Sequence, residues 1–303
     1  KFAKEFKKIA QEKNADVVFL HSSKAQTLAV MSSFIYRMKT PLVLCRTLIR
    51  RVDTNFLRKW KYNYSGIKKI ICVSHPVVDV LKYAVKDHSK LCVVGSVTDI
   101  NKFPHQQSTG KLRKEFNIDP SLPIIGNIAE FTGFKDHKTW VKTVSVLVNK
   151  HQLKAKFILV GKGALEEEIR ALVKELQLED HIIFAGFRKD IPEILPDFDL
   201  FMFTSNNEPT GGVLLESYAC KVPIVAANAG GIPEVVINNQ TGLLAEVGNP
   251  EDFAEKVILL LNNPELQEKF KEKGYQYLLD NFTKEVIAKK MFTELNEVVK
   301  SNQ

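Results

Sequence analysis

The chain reads as α/β, built from two doubly wound domains with parallel sheets in tandem, and three features of the sequence carry that reading. Apolar runs of four to seven residues alternate with helical patterns along all 303 residues, as βαβ construction requires. A polar stretch at 99–114, with Pro104, Gly110 and several glutamines and serines, breaks the alternation as a linker would. Charge changes sign across it: residues 1–105 hold 20 Lys+Arg against 7 Asp+Glu, and the remainder holds 23 against 28. Domains are therefore expected at 1–105 and 106–303.

Each element follows in order. An amphipathic opening helix (Phe2, Phe6, Ile9, Ala10) leads into strands at 17–20, 42–45, 70–73 and 91–94. The second domain offers strands at 124–129, 157–160, 182–185, 200–203, 224–226 and 243–245, with a short helix of apolar and small residues at 213–219. After Leu244 the chain is helical at 250–261, 264–279 and 283–300, and Asn249-Pro250 and Asn263-Pro264 are start signals. The last of these helices is expected to pack back on the first domain.

Composition narrows the function classes. Hydrophobic content of 45% is ample for packed cores and excludes a disordered chain. Cys45, Cys72, Cys92 and Cys220 lie in or beside apolar runs without metal-ligand spacing, so they read as reduced core residues of a cytoplasmic protein. No apolar run approaches the roughly 20 residues that span a bilayer, and Lys1-Phe-Ala-Lys-Glu is a charged amphipathic start rather than a signal peptide. The stretch from Arg46 through Arg50-Arg51 and Arg58-Lys-Trp60-Lys-Tyr62-Asn-Tyr64 interleaves cations with aromatics, which suits an anionic membrane surface. A solvated basic face is the plain alternative, and RNA would also tolerate the pattern.

In such sheets ligands bind beyond the carboxyl ends of the strands, so the loops there hold the candidate chemistry. Glu208-Pro-Thr-Gly-Gly-Val-Leu-Leu-Glu216 puts two carboxylates eight apart around a glycine pair where a strand turns into a helix. Glycines are costly at a helix start, so close backbone approach is expected there, and a helix N-terminus suits an anion. The loop Glu130-Phe-Thr-Gly133-Phe-Lys135-Asp-His137 offers Lys135 to a phosphate, or as an ordinary solvated lysine. Gly161-Lys162-Gly163 is a sharp turn able to meet a flat ring, Gly186-Phe187-Arg188 follows the next strand, and Ala229-Gly230-Gly231-Ile-Pro233-Glu234 starts a further helix with Glu234 in its first turn.

Taken together these loops resemble the retaining glycosyltransferases of the GT-B fold, group 1 or family 4, whose domains are Rossmann-like and face each other across a cleft. The likeness rests on the Glu-x7-Glu run followed by Ser-Tyr-Ala-Cys-Lys-Val-Pro223 and Gly230-Gly231-Ile-Pro-Glu234, through Thr241-Gly242, and covers the chain from about residue 15 onward. Ile71-Cys-Val-Ser74 and Val94-Gly-Ser-Val-Thr-Asp99 are similar to further family elements. The resemblance implies that Glu208 holds donor-sugar hydroxyls, Glu216 holds the ribose diol, and the amides of Thr210, Gly211, Gly212 and Val213 meet a diphosphate. Lys135, with Gly133 beside it, would neutralise the leaving group, and the base would lie near Gly161, Lys162, Phe187 and Arg188. The co-substrate would be a UDP-, GDP- or ADP-linked sugar, with no cofactor and no metal required.

Departures from the family pattern bear on the first domain and on one loop. Position 130 is glutamate where the family often has an arginine, and a carboxylate there would repel a diphosphate unless it turns away. Where the family usually supplies a histidine, the loop after 42–45 carries Arg46 and Arg50; His21, Ser23 and Lys24 are the alternative acceptor-side residues. The Gly-rich loop after the family's first strand has no counterpart, and the chain opens without methionine, so one or two early βα units are expected to be missing. The expected activity is transfer, with retention, to a glycan or lipid-linked acceptor in bacterial surface polysaccharide or lipopolysaccharide synthesis, peripheral on the cytoplasmic membrane face. A nucleotide-sugar epimerase, a phosphorylase, or a binding subunit without turnover are the alternatives.

Overall fold

The computed structural model describes residues 1–52, 55–104 and 106–302. The chain divides into two compact units, Lys1–Ser96 with Glu285–Gln303, and Val97–Lys284. All ten expected strands form, each within a few residues of its apolar run.

Unit 1 is a parallel sheet of β1 (Val18–Leu20), β2 (Leu42–Arg46), β3 (Ile67–Cys72) and β4 (Leu91–Val93), in that spatial order. Helices α1 (Phe2–Glu12), α2 (Ser23–Tyr36), α3 (Phe56–Tyr62) and α4 (His75–Lys82) alternate with the strands. Because strand side chains alternate sides, Leu42 and Leu44 enter one core with Ala29, Val30 and Ile70, while Val43 and Ile71 enter another. That second core is completed by Ile287 and Val298 of the C-terminal helix. Lys69 of β3 bonds Glu294 and Glu297 of the same helix.

Unit 2 holds β5 (Ile124–Ile128), β6 (Lys156–Val160), β7 (Ile182–Gly186), β8 (Leu200–Phe203), β9 (Ile224–Ala227) and β10 (Leu243–Ala245). Their order, β10-β9-β8-β5-β6-β7, is parallel throughout. The chain winds outward from β5 to β7 and then returns to the other side of β5 with β8. Strand order thus reverses between β5 and β8, the switch point at which such sheets open a crevice. Around the sheet lie α5 (Lys111–Glu115), α6 (His137–Asn149), α7 (Glu166–Glu175), α8 (Ile191–Ile194), α9 (Gly212–Ala219), α10 (Pro250–Leu261) and α11 (Pro264–Asn281); α12 (Lys284–Lys300) is the C-terminal helix. Asn249 and Asn263 cap α10 and α11 by accepting from Asp252 N and Leu266 N, and each cap contributes about 1 kcal/mol.

Two expectations differ from the structure. The stretch at 99–114 is not a free linker, because unit 2 has already begun at Val97. Phe103 lies in its core, and the buried Asp197 carboxylate accepts from Ser108 Oγ and from the amides of Thr109, Gly110 and Leu112, all at 2.7–2.8 Å. The segment after β9 forms only a three-residue 3-10 turn, Ile232–Glu234, rather than a helix. Val235 and Val236 turn into the core there, and the Tyr277 hydroxyl donates to the Glu234 carbonyl at 3.1 Å. Among the described residues no helix is long and apolar enough to cross a membrane.

Candidate active site

Three loops of unit 2 converge on Glu208. Its carboxylate accepts from Lys135 Nζ at 2.6 Å, out of the loop after β5, and from Ser205 Oγ at 3.0 Å, at the end of β8. Its carbonyl accepts from Gly231 N at 2.8 Å, out of the loop after β9. Thr204 Oγ1 donates to Asp136 O and Asn206 N to Phe134 O, which ties the β8 loop to the loop carrying Lys135. Gly230 is needed for this assembly: its φ is +53°, and a Cβ there would stand 2.3 Å from Glu208 O. The lysine and the glutamate, 73 residues apart, thus meet at the switch point of the sheet. Both are largely shielded from water, with side chains 16% and 11% exposed, so their attraction is stronger than that of a surface pair.

Four residues on, α9 begins. Gly211 adopts φ +74° as its N-cap, no side chain caps it, and a Cβ on Gly212 would meet nothing within 4 Å. Leu214 N donates to Gly211 O at 2.9 Å, so the open amides at this helix start are those of Gly212 and Val213, which suit an anion. Gly211 lies against Glu208, whose Cγ would be 3.5 Å from a Cβ at that glycine. Thr210 is buried and Val213 half-buried. One helical turn further, Glu216 is half-buried, and no described residue donates a hydrogen bond to its carboxylate. Burial raises its pKa, and the nearby Lys102 charge draws it part of the way back.

A cavity of about 440 Å³ opens beside β6 and β7, lined among others by Glu130, Gly161, Lys162, Phe187 and Arg188. Phe187 is 64% exposed and presents a free ring face. The Arg188 guanidinium, by contrast, is occupied: it donates to both Asp190 oxygens at 2.8 and 2.7 Å and to Glu115 at 2.5 Å. Sequence reasoning read Gly161 and Gly163 as an approach to a flat ring, but the groups they admit are the chain's own. A Cβ at Gly161 would lie 2.0 Å from Ala129 O, and one at Gly163 2.6 Å from Phe131 O. Glu130 is exposed on this cavity, whose lining excludes Lys135 and Glu208.

His137, the first residue of α6 after the loop that carries Lys135, was given no role by sequence reasoning. It is 3% exposed and stacks on Phe131 at 4.2 Å. Burial first, and then the Lys135 charge, lower its pKa to about 4. Asp136, in left-handed conformation, caps α6 by accepting from Thr139 N, and so fixes the turn Gly133–Lys135 that presents the lysine. Ser205 stands three residues before Glu208, and only the fold shows it bonded to that carboxylate.

In unit 1, His21, Ser23 and Arg46 line one cavity of about 290 Å³ at the carboxyl ends of β1 and β2. Arg46 Nη2 donates to the Arg50 carbonyl at 2.8 Å, and Arg50 and Lys24 point to solvent outside that lining. The four cysteines are free thiols, and burial pushes Cys72 and Cys92 up to about 12.

A family model described as glycosyl transferases group 1 matches residues 108–277. Among curated proteins, the chain is 27% identical over 306 residues to N-acetyl-alpha-D-glucosaminyl L-malate synthase of Bacillus anthracis, covering 99% of this chain and 80% of that protein. It is 25% identical over 176 residues to the lipopolysaccharide core biosynthesis glycosyltransferase LpsE of Rhizobium meliloti (strain 1021), spanning 58% of this chain and half of the relative. The crystal structure of Anabaena Alr3699/HepE in complex with UDP and glucose superposes with a TM-score of 0.83 at 21% identity, over 97% of this chain and 80% of that one.

Proposed function

The chain belongs to the group 1 glycosyl transferases, and on that premise we propose that unit 2 binds a nucleotide-diphospho-sugar and that the sugar passes, with retention, to an acceptor held by unit 1. The observation that carries this reading is the junction of Lys135 and Glu208 beside the uncapped start of α9. A cation and the open amides of Gly212 and Val213 suit a diphosphate, and the carboxylate next to them suits sugar hydroxyls. Glu216, a turn along α9 with no donor of its own, suits the paired hydroxyls of a ribose. The exposed face of Phe187 suits the base. Support from relatives is of the same kind, since Alr3699/HepE was solved with UDP and glucose.

In the proposed step the acceptor hydroxyl attacks the anomeric carbon on the face the diphosphate leaves. The bond from that carbon to the phosphate oxygen breaks, and the acceptor proton passes to the departing oxygen. Lys135 and the α9 amides stabilise the negative charge that develops there. Glu208 orients the sugar and forms no covalent bond. The acceptor class we carry forward is a glycan or lipid-linked acceptor of bacterial surface-polysaccharide or lipopolysaccharide synthesis, which the likeness to LpsE favours.

For a lipid-linked acceptor we assign the α2–α3 face to an anionic membrane. Phe34 and Leu57 are 62% and 68% exposed there, beside Met31, Trp60, Arg58 and Lys61. Transfer assays with Glu208→Gln test the whole reading. Transfer should collapse while nucleoside diphosphate binding holds, and equal losses in both would remove the sugar assignment.

A further inference from the structure

The 290 Å³ cavity of unit 1 has an apolar floor of Leu20, Leu44, Leu48 and Ile70, and its polar lining includes Gln26, Arg46, Ser22 and Ser23. Gln26, on the first turn of α2, is 3% exposed, lines the cavity, and its Nε2 has no acceptor among the described residues. Arg46, at the end of β2, has its Nε buried and equally unpartnered, although its other end is anchored on the Arg50 carbonyl. The N-terminus of α2, a helix of 14 residues, faces the same space through Ser22 and Ser23. Ser22 Oγ satisfies only the Ala25 amide, so the amides before it remain open. Among the described residues no carboxylate lines the cavity. Its thiol, Cys45, is kept neutral because burial raises its pKa.

A buried amide and a buried guanidinium nitrogen without acceptors are costly in a folded protein, and one oxyanion would satisfy both. The helix N-terminus adds positive potential at the same point, and a guanidinium meets carboxylate and phosphate oxygens by geometry as well as charge. A volume near 290 Å³ suits such a group with a few attached atoms. We propose that this cavity binds a carboxylate or phosphate group of the acceptor, held by Gln26, Arg46 and the N-terminus of α2. The acceptor role rests on the function proposed above; the anion site rests on unit 1 alone.

The test is calorimetric titration of the full chain, at constant ionic strength, with malonate and separately with inorganic phosphate, alongside a titration with UDP, GDP and ADP. Saturable binding of either anion is expected, and the tighter of the two tells whether the acceptor group is a carboxylate or a phosphate. Gln26→Leu and Arg46→Gln should each weaken it about tenfold, the loss of one charge-assisted hydrogen bond, with nucleotide affinity unchanged. Should Gln26→Leu fail to fold by circular dichroism, Gln26→Glu keeps the shape and should abolish anion binding by repulsion. Absence of saturable anion binding, or equal binding by wild type and variants, overturns the proposal while leaving the donor site standing if a nucleotide binds. Anion binding that depends on Gln26 in a chain that binds no nucleotide would keep the anion site and discard the transferase reading.

Discussion

Glu208 and Glu216 are both carboxylates on one short segment, yet their surroundings differ in kind. Glu208 is neutralised by Lys135 and fixed by Ser205, whereas Glu216 is half-buried with no donor and a raised pKa. A ribose diol donates to the ionised carboxylate, so nucleotide affinity should fall as pH drops through the Glu216 range. Glu216→Gln should bind more weakly and show a flat profile there; a wild-type profile that is also flat would detach Glu216 from the nucleotide. His137 has the opposite sign of shift. Its folded pKa of about 4 lies below the ordinary 6.5, so the stability it contributes is full above 6.5 and lost as pH falls toward 4. The difference amounts to about 3 kcal/mol at most. Denaturant titrations of His137→Phe, which keeps a ring on Phe131, should lose that acid-sensitive component; an unchanged pH dependence would place it elsewhere. The Glu-x7-Glu run and the loop lysine were legible because charge at a strand end is conspicuous in a sequence. His137, Ser205 and Gln26 were not, since their meaning comes from burial and partners that long-range folding alone brings together.

Elements were the most legible layer. Short apolar runs bounded by turn residues fit strands of a covered parallel sheet, which is why all ten strands were readable. Turns were less so. The glycines at 161 and 163 signalled close approach, and the approaching group proved to be the backbone of 129–131. Gly230 plays the corresponding part for Glu208, so Gly230→Ala should push the Glu208 backbone, lower stability by roughly 1–3 kcal/mol and reduce transfer. A thermal midpoint and activity equal to wild type would show that the loop yields without cost. On α2 and α3, the exposed Phe34 and Leu57 among cations should bind vesicles containing phosphatidylglycerol and not neutral phosphatidylcholine. In flotation assays Phe34→Asp with Leu57→Asp should abolish that binding while circular dichroism stays native, and equal flotation by the double variant would refute the membrane assignment.

At the scale of the molecule, two units have separate cores, and the proposed division of roles between them runs in the same sense as the charge asymmetry of the sequence. The cavity lined by Gln26 and Arg46 belongs to unit 1, and the 440 Å³ cavity and the Lys135–Glu208 junction belong to unit 2. Composition placed the transition at 105/106, but the structure begins unit 2 at Val97, because Phe103 and the Asp197 hydrogen bonds are long-range features that a polar segment conceals. The central claim is that unit 2 is a nucleotide-sugar site. Its most direct test is a thermal-shift panel of UDP-, GDP- and ADP-sugars on the wild-type chain and on Glu216→Ala. A ligand that binds only the folded state at 100 times its Kd stabilises by about 2.7 kcal/mol. One donor class should therefore raise the wild-type midpoint by several degrees and the variant's by much less, whereas no shift with any donor, or equal shifts in both proteins, would contradict the account.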